Sequence, residues 1–477
     1  MCLIISMPRK EYGELDLKLD ISNEKTTLYV VIVTSFLTTF MGSSITLSIP
    51  SIGTEFNSST ILLNWIVTGY ILASAAFSLP MGRFSDIVGR KRIFIGGIWL
   101  FSIFTLLSGL TWSIHVLIFF RIMQGLASAM IFSTNIAILL SAFPPQKRGH
   151  ALGFSTSATY IGLSTGPVVG GFLNHYLGWR SIFYIVFALG LAVGIFATLY
   201  LKEQHEGLKD EKPDLTGNIL YILFITSLLY GISAFSSVAW AKYIIIPGLI
   251  IFAVFVYHEL RMEQPVIQVR LFKDNLAFSL SNLAALINYS ATFAIGYLIS
   301  LYLQIVLKYD SQIAGLILLS QPLIMAILSP FTGRLSDRTE ARIVASLGMG
   351  ITALGLLIFS FISGSYPLWL IIVNLILIGI GLALFSSPNT NAVMGTVEKK
   401  YYGVTSSVLA TMRLIGQAVS MAVVTLIMSM YIEKSTIANM PPDMLIKSIR
   451  ATFILFTIAS LFGIFASLKR GNMISDS

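Results

Sequence analysis

Acidic residues are missing from the middle of every long apolar run in this chain. Charge of either sign is scarce: 11% of the 477 residues are charged, against 55% hydrophobic, and mean hydropathy is +0.82. An ordinary soluble domain of this length needs more polar surface than that. Cysteine is almost absent too. Cys2 is the single one, so no internal disulfide can form. No G-x-x-x-x-G-K-[ST] loop, H-x-x-x-H pair or C-x-x-C pair occurs, so neither ATP-driven pumping by this chain alone nor a metal site is expected. No nucleophile–base constellation is visible, and neither an enzyme nor a cofactor is expected. The first twenty residues lack the basic start and the small-residue cleavage site of a signal peptide.

What the chain does contain is a series of apolar runs near 20 residues long. Each can cross a hydrocarbon core of about 30 Å. In lipid such runs must be helices, because nothing else satisfies their backbone N–H and C=O groups. Fourteen spans are predicted, the first at 27–51 and the last at 449–468. Lysine and arginine set the orientation. With both termini cytoplasmic, the outer loops hold only Arg180, Lys242, Lys308, Lys434, Lys447 and Arg450 of the 31 basic residues, and Arg121 and Arg413 fall inside spans. The net charge of +9 then reflects topology in a plasma membrane, not nucleic-acid binding.

Two charged insertions interrupt this pattern. PMGRFSDIVGRKR (Pro80–Arg92) and TGRLSDRTEAR (Thr332–Arg342) share G-R-x-S-D, carried by Gly82, Arg83, Asp86 and by Gly333, Arg334, Asp337. A second match, GLASAMIFSTN (Gly125–Asn135) with GIGLALFSSPN (Gly379–Asn389), has an offset of 254, and the same offset pairs Gly149 with Gly403. Two matches in register predict duplicated halves, as in transporters built from repeats. The expected organisation is a tail (1–26), a six-helix bundle (27–201), an inserted two-helix region (202–275), a second six-helix bundle (276–468) and a tail (469–477).

At these residues the chain resembles the major facilitator superfamily, in particular its fourteen-span drug:proton antiporter branch. The family's loop motif G-x-L-A-D-R-x-G-R-K-R stands here as Gly82 to Arg92, with Asp86, Gly89, Arg90 and Arg92 in place. RIMQGLASA (Arg121–Ala129) is similar to the fourth-span motif, and GLSTGPVVGG (Gly162–Gly171) to the antiporter motif. The branch usually carries an Asp in span 1 where this chain has Met41, and the second loop copy has Glu340 where the first has Gly89. The resemblance implies an all-α membrane fold of two six-helix bundles plus two inserted helices. It also implies alternating access, with a small-molecule substrate, protons or another coupling ion, and the lipid bilayer as partners. A monomer is expected.

The residues themselves point to three regions. Asp86 and its neighbours, with Gly333, Arg334, Asp337 and Arg338 in the second copy, form a latch between the halves, since a carboxylate is favoured at helix N-termini and beside arginines. Gly162, Gly166 and Gly170 share one helical face, and with Pro167 and Gly171 they predict a tight, bendable contact between span 5 and the other half. Intramembrane polar residues mark a pathway. Arg121, Gln124, Ser128 and Asn135 on span 4, and Ser406, Arg413 and Gln417 on span 13, are expected to face a central cavity. Asn288, Gln304, Gln321 and Asn389 are weaker candidates, as are Trp65, Tyr70 and Tyr160. Two arginines without an intramembrane acid predict a cavity for neutral, zwitterionic or anionic amphiphiles. The expected function is ion-gradient-driven export of small amphiphiles or drugs. An importing facilitator or symporter, or a non-transporting sensor of the same fold, is the alternative.

Overall fold

The computed structural model describes residues 23–58, 60–202, 213–233, 241–267, 269–309, 311–431 and 442–469. Most of the N-terminal tail, most of the charged linker and the tail after residue 469 lie outside the described residues. The described chain is helical. The N-terminal half holds α1 (Asn23–Ser44), α2 (Ile49–Phe56), α3 (Thr60–Val88), α4 (Arg90–Gly109), α5 (Ile114–Ala142), α6 (Arg148–Leu177) and α7 (Arg180–Tyr200). The insertion supplies α8 (Leu215–Ser233), α9 (Ala241–Glu259) and the short α10 (Val269–Asp274). The C-terminal half holds α11 (Leu276–Thr292), α12 (Ile295–Leu301), α13 (Ser311–Leu318), α14 (Ser320–Ser336), α15 (Ala341–Phe359), α16 (Leu368–Gly395), α17 (Tyr402–Tyr431) and α18 (Pro442–Lys469).

Among the described residues, twelve helical segments are long and apolar enough to cross a membrane. This corrects the expected count of fourteen. Two of the expected runs fall short for different reasons. α6 is 30 residues long but is diluted by glycine, serine and threonine. The apolar stretch of α9, Tyr243–Glu259, is shorter than the rest. A helix lying between two others needs less apolar surface than one facing lipid, and α6 packs between α1 and α14.

Many hydroxyls inside the apolar helices are satisfied within their own helix. Thr34 donates to the Val30 carbonyl at 2.8 Å, Thr38 to Thr34 at 2.8 Å and Ser102 to Ile98 at 2.8 Å. This back-bonding lets hydroxyls sit in a membrane helix with no external partner. The break between α11 and α12 is covered in another way: the Ala294 N–H donates to Ser420 Oγ of α17 at 3.1 Å. A freed backbone group at that depth requires such a partner.

Each half has its own apolar core, and a third core joins them. In the first, α3 packs on α5, α4 on α5 and α7, and α1 on α6. In the second, α15 packs on α16 and α18, α14 on α16, and α11 on α17. The halves meet where α6 packs on α14 and where α3 and α5 pack on α17. The α8–α9 hairpin lies over that second seam. The Tyr221 hydroxyl of α8 reaches the Ala75 carbonyl of α3 at 3.5 Å and Thr411 Oγ1 of α17 at 2.8 Å. The inserted pair is thus pinned to both halves at once.

Candidate transport cavity and its gate

A cavity lies between the halves. Ser35, Asn135 and Tyr160 line it from the N-terminal half, and Tyr289, Asn389 and Arg413 from the C-terminal half. Among the described residues, no carboxylate lines it. The Arg413 guanidinium stands 5.7 Å from the centre of the Phe132 ring, a cation–π placement. Asn135 Nδ2 donates to Ser35 Oγ at 2.7 Å, and Ser35 meets Ser155 Oγ at 3.2 Å, so three helices of one half are tied together at the wall. Asn135 Oδ1 is buried with no partner among the described residues. Across the seam, Ser406 Oγ donates to the Phe132 carbonyl at 3.3 Å and Ser387 Oγ to Thr156 Oγ1 at 3.1 Å.

Each of the two polar stripes read from the sequence reaches this cavity with only part of its length. Asn135, Ser406 and Arg413 line it; Arg121, Gln124, Ser128 and Gln417 do not. Arg121 is fully buried inside the N-terminal bundle. Its Nε donates to the Ile66 carbonyl of α3 at 3.0 Å, and its Nη1 donates to Gln124, which donates to Thr105 of α4. The guanidinium lies 4.3 Å from the centre of the Tyr70 ring, and Tyr70 in turn meets Ser128 Oγ at 2.7 Å. The reason is depth. Fourteen residues separate Arg121 from Asn135, about 21 Å along a helix rising about 1.5 Å per residue. A shared face is not a shared level. The sequence reading missed Ser35, Ser155, Thr156 and Thr159 of the lining. Their small hydroxyls carry no signal that separates a wall residue from one bonded within its own helix.

The two charged loops close the seam at one face of the molecule, each by the same device. The Asp86 carboxylate, at the end of α3, accepts from the backbone N–H of Gly403 at 3.1 Å and of Val404 at 3.0 Å, in the first turn of α17. The Asp337 carboxylate, just past α14, accepts from the N–H of Gly149 at 2.6 Å and of His150 at 2.9 Å, in the first turn of α6. Each half therefore supplies a carboxylate to a helix N-terminus of the other, where free N–H groups and the dipole favour negative charge. Close approach makes this possible. A Cβ on Gly82 would lie 2.7 Å from the Gly403 carbonyl, and one on Gly149 would lie 2.7 Å from Asp337 Oδ1.

Around Asp86 the loop is dense. Arg90 Nε donates to Asp86 Oδ1 at 2.9 Å, with Nη2 at 2.8 Å from the same oxygen, both side chains being buried. Arg90 also donates to the Lys399 carbonyl and lies over the Tyr402 ring. Gly89 takes φ +113°, a conformation open to glycine, and so turns α3 into α4. Arg83 is buried, whereas Arg92, Arg334 and Arg338 are exposed.

The glycine stripe of α6 is placed otherwise than expected. Gly162, Gly166 and Gly170 pack on Thr39, Ser43 and Ser44 of α1, in their own half. Contact with the other half is made one to three turns earlier. There Gly153 faces Ser329 and Pro330 of α14, and Ser157 Oγ donates to the Ala326 carbonyl. Glycine spacing shows that a helix approaches something closely but not which neighbour it approaches. At the opposite face, Glu55 accepts from Trp179 Nε1 and Arg180 Nη1, each at 2.7 Å. Burial works against its charge, yet these hydrogen bonds and the Arg180 charge hold its carboxyl below the ordinary value.

The Major Facilitator Superfamily model matches residues 31–276 and 281–472. The chain is a member of that superfamily. It is 29% identical over 386 residues to the riboflavin transporter RibZ of Clostridioides difficile (strain 630), covering 81% of this chain and 84% of that one. It is 32% identical over 384 residues to the multidrug resistance protein Stp of Mycobacterium tuberculosis (strain ATCC 25618 / H37Rv), covering 80% and 71%. It is 29% identical over 411 residues to the cephamycin export protein CmcT of Amycolatopsis lactamdurans, covering 84% of each. The crystal structure of the human organic anion transporter MFSD10 superposes with a TM-score of 0.65 over 93% of this chain and 99% of that one, at 12% identity, a likeness of fold. The protein is a multi-pass secondary transporter of that superfamily.

Proposed function

We propose that this transporter exports anionic, zwitterionic or neutral amphiphiles by alternating access, driven by an ion gradient, and rejects permanent cations. One observation carries the reading: Arg413 brings positive charge to the cavity, with no carboxylate in the lining among the described residues. An uncompensated cation in a wall of low dielectric attracts anions and repels cations over several ångströms. The orphan Asn135 Oδ1 offers an acceptor across from it, so the pair would orient a ligand with an acidic end and a donor. Relatives named for riboflavin, cephamycin and multidrug resistance support small organic cargo of varied shape. The termini and both charged loops lie on the cytoplasmic side. The closed gate is then the cytoplasmic one, and coupling runs by proton exchange.

The test is flux in proteoliposomes under an imposed pH gradient, with matched anionic, neutral and dicationic amphiphiles. Arg413→Gln should cut anion flux by about tenfold, the scale of one lost charge-assisted hydrogen bond, and spare the neutral probe. Arg413→Lys should retain most anion flux. Efficient gradient-driven transport of the dication by the wild type would overturn the assignment.

A further inference from the structure

The inserted hairpin ends in a cluster that the cavity and the gate do not use. Asp214 precedes α8, and His258 and Glu259 close α9. One ligand atom from each of these three side chains lies within 4.8 Å of the other two. Asp214 and Glu259 are each at least 93% buried, while His258 keeps about a quarter of its side chain open to solvent. His258 Nε2 stands 2.9 Å from Asp214 Oδ2.

The carboxylates are held from behind. Asp214 Oδ1 accepts from the Gly217 N–H at 2.9 Å, and Glu259 Oε2 accepts from the Ile267 N–H at 2.8 Å. Each acid thus spends one oxygen on backbone and turns the other inward. Glu259 Oε1 is buried and has no partner among the described residues. It converges with Asp214 Oδ2 above Gly217, where both oxygens would collide with any Cβ. The hollow between the two inward oxygens therefore depends on glycine.

Two buried carboxylates facing one another are costly unless a cation or a proton joins them. His258 can neutralise only one, and it faces Asp214. A donor set of one imidazole nitrogen and two carboxylate oxygens suits a borderline divalent ion. Two ligands of a tetrahedral zinc with bonds of about 2.0 Å are about 3.3 Å apart, so His258 and Asp214 need open by only a few tenths of an ångström. The backbone N–H groups on the outer oxygens supply the orienting shell that such sites need. We propose that Asp214, His258 and Glu259 form a zinc-class divalent metal site, which ties the start of α8 to the end of α9 and leaves one position for water. Its 44-residue separation between Asp214 and His258 hides it from any spacing rule.

The test uses tag-free, full-length protein stripped with chelator and titrated with zinc chloride alone. Calorimetry and elemental analysis after desalting should give one equivalent bound. The thermal midpoint should rise on adding zinc. Glu259→Gln and Asp214→Asn should weaken binding by at least about tenfold, the scale of lost ligand orientation or more, and abolish the thermal shift. Because a buried substitution can impair folding, His258→Gln, at the partly open position, is measured alongside and should lose zinc while keeping the elution profile of the wild type. Less than a stoichiometric amount of zinc on the wild type, or undiminished binding in well-folded His258→Gln, would overturn the site. Either result would leave the cavity's charge selectivity untouched.

Discussion

The two gate loops share a motif and a geometry but not a chemistry. Asp86 is wholly buried and paired with Arg90, whose guanidinium lies over the Tyr402 ring. Asp337 is half-buried, and the position that matches Arg90 holds Ala341. It borders an open hollow lined by Ser336 to Arg342. One side of the gate is a charge-compensated joint; the other is a lone carboxylate on a helix N-terminus. A buried carboxylate with a buried arginine is costly to separate, whereas a half-solvated one exchanges its backbone donors for water at little cost. The gate therefore has a stiff side, α3 against α17, and a soft side, α14 against α6. The inserted hairpin, pinned to α3 and α17 by Tyr221, backs the stiff side. Opening should begin at the soft side.

The sharpest way to break this asymmetry is Asp86→Asn. It removes the counter-charge of buried Arg90 and one of the two acceptors on the α17 terminus. Stranding a buried charge costs about 3–5 kcal/mol, so transport in proteoliposomes should fall at least a hundredfold while membrane insertion persists. Spin labels at the exposed positions of Arg92 and Glu398, in a Cys2→Ser background, should report a gate that no longer closes. Normal flux in a well-expressed Asp86→Asn protein would remove the latch.

Next in size is the turn that precedes Arg90. Gly89 sits at φ +113°, while its counterpart Glu340 sits at φ −60°. A side chain at the first position costs about 1–3 kcal/mol of backbone strain. Gly89→Ala should therefore slow transport several-fold, and Glu340→Ala should be nearly silent. Equal effects at the two sites would mean that the turn, and with it the aim of Arg90, does not matter to the stiff side.

Much of this was legible beforehand because it rests on backbone chemistry. A glycine where helices touch, an aspartate where a helix begins and a repeat offset that pairs Gly149 with Gly403 are written in residue type and spacing. The all-helical fold and its superfamily could be read for the same reason. What could not be read depends on a third coordinate. Arg121 and Arg413 each belong to a polar stripe on an apolar helix, yet one locks a bundle and the other lines the cavity, because depth and helix rotation are set by packing. The partner of the Gly162–Gly170 face was hidden too, since α1 of the same half and α14 of the other present equally small residues to α6. The span count differed where α6 replaces apolar bulk with close approach. The Asp214–His258–Glu259 cluster was hidden because it is made by a hairpin, not by a motif.

The finest distinction concerns protons. Burial raises the Asp337 carboxyl above its ordinary value of 3.8, even though the Gly149 and His150 N–H groups and the His150 ring work the other way. On opening, that carboxyl meets water and returns toward the ordinary value. The closed contact thus binds a proton more tightly than the open one. The closing preference this adds is full below the open-state value and is lost as pH rises through the raised, closed-state value. Acidifying the charged-loop face should tighten the soft side, and raising pH should loosen it. The exposed positions of Lys147 and Arg338 straddle that side, and the distance between spin labels there should shorten as pH falls. A His150→Gln background removes the neighbouring imidazole, and the trend should persist in it. Asp337→Asn should flatten it, at a cost to closure of about 1 kcal/mol, that of one hydrogen bond. The same measurement between positions 92 and 398 is the comparison, because there Asp86 is paired with Arg90. A shift of equal size on both sides would show that Arg90 does not set them apart, and the gate would have no soft side to open first.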